Sequence, residues 1–351
     1  MKMNKAKRMK FLPLTLAMAL SGIFGSADCV MAAGGPVRVR LGTLVPKGSS
    51  YYKHLQAMGE QWRLASGGGV TLIIYPDGTM GGEADMVRRM RLGQLQAGML
   101  TAIGLSEIDP EVSGLQYLPM AFGSLEEVDF VGEKLQPRLG KRLEEKGFVV
   151  LFWGDTGWVR YFSKNPLVRP DDLRKTKLFV WSGSAAQEKI YRSVGCNPVP
   201  LETMDILPGL QTGLIDAVPL PPYIALASQV DSVAPNMLDL NWAPLVGATV
   251  ITKKTWEAIP PDTRGALRAA AAETGRIIKA GSRRESVEAV DAMRKRGLKV
   301  HAVTAEIEAE WRREAEAIYP QIRGSIVPAD MFDEVMRLLK EYRAAHVAPG
   351  P

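Results

Sequence analysis

Strand-type runs alternate with helix-type segments along this chain, and Gly, Pro or Ser marks each boundary. That alternation confines it to an α/β architecture. Residues 37–45 form a β-rich run that stops at Pro46, and Ser49 or Ser50 is placed to cap a helix over 51–65. Gly67 to Gly69 break the pattern, and residues 70–75 form a second strand ended by the turn Pro76-Asp77-Gly78. A helix over 83–92 closes at Gly93, and residues 97–101 form a third strand. Strand–helix–strand order of this kind predicts parallel pairing with right-handed crossovers.

The alternation resumes further on. Residues 148–153 and 177–181 read as strands, Ser182-Gly183-Ser184 opens a helix over 185–194, and a helix over 205–211 leads to a strand over 214–218. Residues 246–252 read as a strand returning to the first group. The Ala-, Arg- and Glu-rich stretch 260–296 has helical spacing and is long enough to lie beside both groups, with two more amphipathic helices over 305–319 and 329–345. Two parallel-rich sheets imply two lobes and a cleft, and ligands in open α/β sheets sit beyond the carboxyl ends of the strands. Those ends fall at 43–47, 75–78, 101–104, 153–158, 181–184 and 219–223.

The N-terminus has the form of an export leader over 1–32. Five cationic residues precede an apolar run over 11–24, and Val30 and Ala32 supply small residues at the cleavage site. The run is shorter than the roughly 20 residues a membrane-spanning helix needs. Asp28 before Cys29 argues against lipid attachment. Removing the leader lowers the formal charge from +6 to +2, so nucleic acid is not an expected partner. Cys196 is then the one remaining thiol, and an exported chain with one thiol has no disulfide framework.

Catalytic signatures are absent from the sequence. His54, His301 and His346 lie away from the predicted strand ends, and Cys196 follows a helix beside Gly195. No Cys/His spacing suits a metal, and the glycines around Thr79 to Gly82 lack the Lys-Ser/Thr of a phosphate-binding loop. Binding without turnover, with no cofactor and no metal, is the expectation.

Several segments carry a resemblance in order: Arg40-Leu41-Gly42-Thr43, Tyr75-Pro76-Asp77-Gly78-Thr79-Met80-Gly81-Gly82-Glu83, Arg91-Leu92-Gly93, Arg169-Pro170-Asp171-Asp172-Leu173-Arg174 and Leu210-Gln211-Thr212-Gly213-Leu214-Ile215-Asp216-Ala217. Together they resemble the solute-binding (P) subunits of tripartite ATP-independent periplasmic (TRAP) transporters. The resemblance implies a type II, two-lobed periplasmic-binding-protein fold that closes on a small molecule by hinge bending. It also implies a periplasmic location and membrane contact only through the transporter's permease subunits. On this basis lobe I takes 37–157 and 247–285, and lobe II takes 158–246 and 286–345. A disordered tail covers 346–351.

One position departs from the family pattern. Where many members carry an arginine that pairs with the substrate's carboxylate, this chain reads Lys177-Leu178-Phe179-Val180. A guanidinium supplies fixed donors that match a carboxylate, and a phenyl ring supplies none. Two readings stay open. In one, the cleft is apolar or amphipathic, lined by Thr43, Trp153, Trp158, Phe179, Trp181, Tyr223 and Trp242, with core packing as the alternative role of Trp153 and Trp242. In the other, Arg160 replaces the missing arginine and an organic acid is the ligand. A ligand-sensing or handover module without a permease remains a further alternative.

Overall fold

The computed structural model describes residues 35–182 and 184–346. The leader over 1–32 lies outside them, as does the tail apart from His346. The first unit runs β1 (Val37–Thr43), α1 (Ser50–Ala65), β2 (Val70–Tyr75), α2 (Glu83–Arg91), β3 (Ala97–Thr101) and α3 (Ala102–Ser106). Next come α4 (Leu125–Glu145), β4 (Phe148–Ser163), α5 (Pro170–Arg174), β5 (Lys177–Trp181), α6 (Ala185–Ser193), β6 (Asn197–Leu201), α7 (Ile206–Thr212), β7 (Ala217–Leu220) and α8 (Pro222–Ala227). The chain continues through β8 (Asn236–Leu238), β9 (Ala243–Thr252), α9 (Lys253–Ala258), α10 (Pro261–Lys295), β10 (Lys299–His301), α11 (Ala305–Ala317), α12 (Tyr319–Ile322) and α13 (Ala329–His346). His346, assigned above to the tail, therefore closes α13.

The strands form one mixed sheet in the order β2-β1-β3-β9-β4-β7-β5-β6, with β8 joined to β4 and β10 to β8. Each end is parallel as expected: β1 with β2 and β3, and β5 with β6 and β7. The middle corrects the expectation of separate parallel sheets, because β9 is antiparallel to β3 and to β4. Strand β4 does not stop at Trp153. It runs 16 residues to Ser163, pairing with β9 on one side and then with β7 and β8. The register shifts between Val150 and Phe152 and between Asp155 and Trp158, and such bulges re-aim a strand without ending it. Both ends of the molecule thus share β4 and β9.

Local chemistry accounts for the elements. Ser49 caps α1 by accepting from the Tyr52 N–H, and α1 turns Tyr51, Leu55, Met58 and Trp62 inward at helical spacing. Trp62 is fully buried, and its indole donates to the Leu267 carbonyl at 3.0 Å, joining α1 to α10. Helix α10 spans 35 residues, about 52 Å at 1.5 Å per residue. Leu267, Ala271 and Ile278 pack with β1 and α1, while Ala289, Val290 and Met293 pack with Phe162, Phe179 and Val218. One helix thus braces both ends of the sheet.

Candidate ligand-binding cleft

The carboxyl ends of β1, β3, β5 and β7 converge on the shared middle strands. Between them lies a chamber of about 110 Å³, walled by Thr43, Tyr51, Met99, Phe152, Trp181, Leu220, Leu245 and Val246. The turn Pro76-Asp77-Gly78 fixes the β1 side: Asp77 N–H donates to the Val45 carbonyl and Gly78 N–H to that of Thr43, both at 3.1 Å. Gly247 lets β9 approach β3, since a Cβ there would stand 2.2 Å from the Leu100 carbonyl oxygen. Trp181 closes the opposite side, donating from its indole to Thr203 Oγ1 at 3.3 Å.

Glu83 is a buried carboxylate in this wall, at the start of α2. It accepts from Thr101 N–H at 2.7 Å, Thr101 Oγ1 at 2.6 Å and Gly104 N–H at 2.8 Å. Burial pushes its pKa above the usual carboxylate range, against the pull of those bonds. Gly104 has to be Gly, because a Cβ there would meet Glu83 Cβ at 2.7 Å. Nearer solvent, Asp85, Glu107 and Glu202 join Glu83 around a wider mouth of about 570 Å³.

The middle strands are clamped from behind by α10. Arg283 bridges the Asp155 carboxylate at 2.8 and 3.0 Å and the Asp129 carboxylate at 2.7 and 2.9 Å. Burial disfavours its charge, but the two carboxylates outweigh that and raise its pKa. Tyr51 Oη and Ser282 Oγ both donate to the Asp155 carbonyl. A second tie joins the two ends directly: Ser50 N–H donates to Tyr223 Oη at 2.9 Å, and Ser50 Oγ donates to Glu285 at 2.6 Å.

The structure distributes the sequence candidates unevenly. Thr43 and Trp181 line the chamber, and Trp242 lines an adjoining one. Phe179 is fully buried in the core with Phe162, Leu210 and Val218, and its ring meets Trp181 edge-on at 4.9 Å, so it backs the wall without facing the ligand space. Tyr223 is buried against Tyr51, their rings stacked at 5.5 Å, and serves the tie to Ser50. Trp153 and Trp158 pack on the core around α4 and α13, with Trp153 facing a separate cavity beside Asp129 and Lys279. Arg160 pairs with Asp239 at 2.5 Å and donates to Asn241 at 3.3 Å. Burial lowers its pKa against the opposing charge of Asp239, and it lines none of these spaces.

Sequence reasoning did not single out Leu245, Thr156, Thr249, Thr203 or Tyr117, which wall the cleft. Thr156 and Thr249 sit on strands and Thr203 opens a short helical turn, none of them within a motif, so only tertiary placement reveals them. Among the described lining residues of the chamber, its neighbour and the mouth, none is Lys, Arg or His. His301 bonds Asn236 at 2.9 Å, and burial pushes the Cys196 thiol up to about 11. Among the described residues there is no group of three or more His, Cys, Asp or Glu that could hold a metal.

A mixed α/β molecule with such a cleft, walled without a nucleophile–base pair, has the makings of a solute-binding protein. Residues 41–324 match the family described as bacterial extracellular solute-binding protein, family 7. The chain belongs to that family, the solute-binding subunits of TRAP transporters. It is similar over 305 residues to the C4-dicarboxylate-binding periplasmic protein DctP of Rhodobacter capsulatus, at 26% identity, covering 85% of this chain and 90% of the relative. It is 24% identical over 297 residues to the 2,3-diketo-L-gulonate-binding periplasmic protein YiaO of Escherichia coli, covering 83% and 88%. In fold it is similar to the sugar acid binding protein of Advenella mimigardefordensis in complex with galactonate (TM-score 0.81, 19% identity, 88% of this chain and 99% of that one). A TRAP periplasmic solute binding protein from Ralstonia eutropha with bound (S)-2-acetolactate matches with TM-score 0.80 and 20% identity, over 87% and 99% of the two chains. The chain is therefore a transport protein of two-lobed α/β fold and not an enzyme. Among the described residues, no helix is long and apolar enough to cross a membrane.

Proposed function

We propose that this chain is exported to the periplasm, loses its leader, and captures an apolar or amphipathic solute for delivery to a TRAP permease pair. The observation that carries the ligand class is the absence of any Lys, Arg or His from the described cleft walls, together with Glu83 among them. A carboxylate moved into such a chamber without a cation bears a desolvation cost of roughly several kcal/mol. An apolar solute gains about 25 cal/mol for each Å² removed from water. Acid ligands belong to the similar proteins named above, and Phe179 stands where the resemblance implies an arginine in many members of the family. Thr43, Trp181 and Trp242 are the sequence candidates this reading retains as ligand contacts. The proposed lobe boundaries, 157/158 and 246/247, draw support from the bulge between Asp155 and Trp158, opposite Val246 and Pro244.

Native mass spectrometry of the protein as purified tests the reading. A neutral, mainly apolar compound is expected to be retained, and Trp181→Ala is expected to release it. Recovery of stoichiometric dicarboxylate or sugar acid refutes it.

A further inference from the structure

At the ends of β1, β4 and β9 that point away from the cleft lies an open groove of about 600 Å³. It is lined by Arg38, Arg91, Lys146, Lys253 and Lys254, with no Asp or Glu among its described lining residues. Strand β1 starts in the groove at Val37 and reaches the ligand chamber at Thr43. That is a distance of about 20 Å at roughly 3.3 Å per residue.

The fold neutralises few of these charges. Lys146 lies 3.4 Å from Asp109, and Lys253 lies 3.4 Å from Glu144. Arg91 donates to the Glu107 carbonyl, which carries no net charge. Arg38 and Lys254 are exposed, and neither pairs with a carboxylate among the described residues. Five cations against two carboxylates leave an excess of three, larger than the +2 of the whole leaderless chain. The positive potential of the protein is therefore gathered on the side opposite the cleft.

Leu92 stands among these cations with 64% of its surface exposed. A free phosphate or a soluble polyanion makes no use of an exposed Leu. A bilayer interface accommodates both kinds of side chain, the cations among the headgroups and the apolar one below them. The start of the chain points the same way. The export leader proposed for residues 1–32 joins the fold just before Val37, so the groove is the part of the fold nearest the membrane while the leader is attached.

We propose that this groove docks the protein on an anionic phospholipid surface. Docking by that side leaves the cleft open to solution for loading, and it adds a membrane contact to the one made through the permease. It does not depend on the chemistry of the solute.

The test is flotation of the purified leaderless protein with vesicles of phosphatidylglycerol and phosphatidylethanolamine, with phosphatidylcholine vesicles for comparison. Binding is expected on the anionic vesicles alone and should vanish in about 1 M salt, where the screening length is about 3 Å. One Lys or Arg beside an anionic surface strengthens binding about fivefold, so Arg38→Glu with Lys254→Glu should weaken it at least about 25-fold. Lys295→Glu with Lys340→Glu makes the same change in net charge at exposed sites outside the groove, and should stay within about threefold of wild type. All four positions are exposed, so melting temperatures and the retained solute should match wild type. Equal losses in the two double variants would trace the effect to net charge and overturn the proposal. Equal flotation with phosphatidylcholine would do the same. Failure to float with anionic vesicles also overturns it, and glycerol phosphate binding in a parallel titration would then mark a small-anion site instead. None of these results bears on the cleft reading, which the retained solute tests separately.

Discussion

Replacing Arg160 by Met separates a structural arginine from a ligand-binding one. In the structure its guanidinium is held by Asp239 at 2.5 Å and Asn241 at 3.3 Å, while its Nε is buried without a partner. The Asp239 side chain is 40% exposed, so water screens the pair, and such pairs contribute about 0.2–1 kcal/mol. The Asn241 bond adds roughly 1 kcal/mol. Against these losses, Met removes a partly buried charge and its orphaned Nε, and hydrophobic replacement of such groups is often neutral or stabilising. The terms nearly cancel, leaving a net change within about 1 kcal/mol. For a chain of this size that is a melting shift of about 4 °C or less. Retained ligand and measured affinity are expected to stay within about twofold of wild type, equivalent to roughly 0.4 kcal/mol. The assay pairs differential scanning calorimetry with ligand titration. A loss of two orders of magnitude in affinity for an organic acid, with stability unchanged, would show that Arg160 reaches the ligand and would refute the reasoning.

Two further outcomes follow from the cleft walls. Burial raises the pKa of Glu83 in the fold, so its contribution to stability is full below the unfolded value near 4.3 and is lost as pH rises through the raised folded value. The melting temperature of wild type should therefore fall relative to Glu83→Gln across that window, and parallel curves would mean that Glu83 is not desolvated. Gly247→Ala sets a Cβ against the Leu100 carbonyl and should cost about 1–3 kcal/mol while reducing ligand binding, measured by urea unfolding and titration. A stable variant with full affinity would count against the close β3–β9 contact.

The outer parts of the fold were legible because their strands are short, apolar and bounded by breakers. Helix α10 was legible from its composition and spacing. The middle was not. Gly154, Asp155, Thr156 and Gly157 interrupt the apolar run of β4, and a bulged strand carries no simple period. Helix α4 contains Pro137 and two glycines, which blur its helical pattern. At the site, the chemistry of position 179 was readable but its direction was not. Leu178, Phe179 and Val180 are all buried, and a strand covered on both faces gives no alternation to say which side meets the cleft. The partner of Arg160 comes from a distant loop, a relation that no local spacing encodes.

Strands β4 and β9 have an evolutionary consequence as well as a mechanical one. Neither end of the molecule is a module that can be cut out at a linker, because each owns only part of two continuous strands. Exchange of a ligand-facing half between relatives has to join both strands in register, since a slip of one residue sends every side chain to the opposite face. Ligand preference in such a scaffold is therefore expected to diverge by point substitution at wall positions such as 181, 242 and 249 more readily than by recombination of halves.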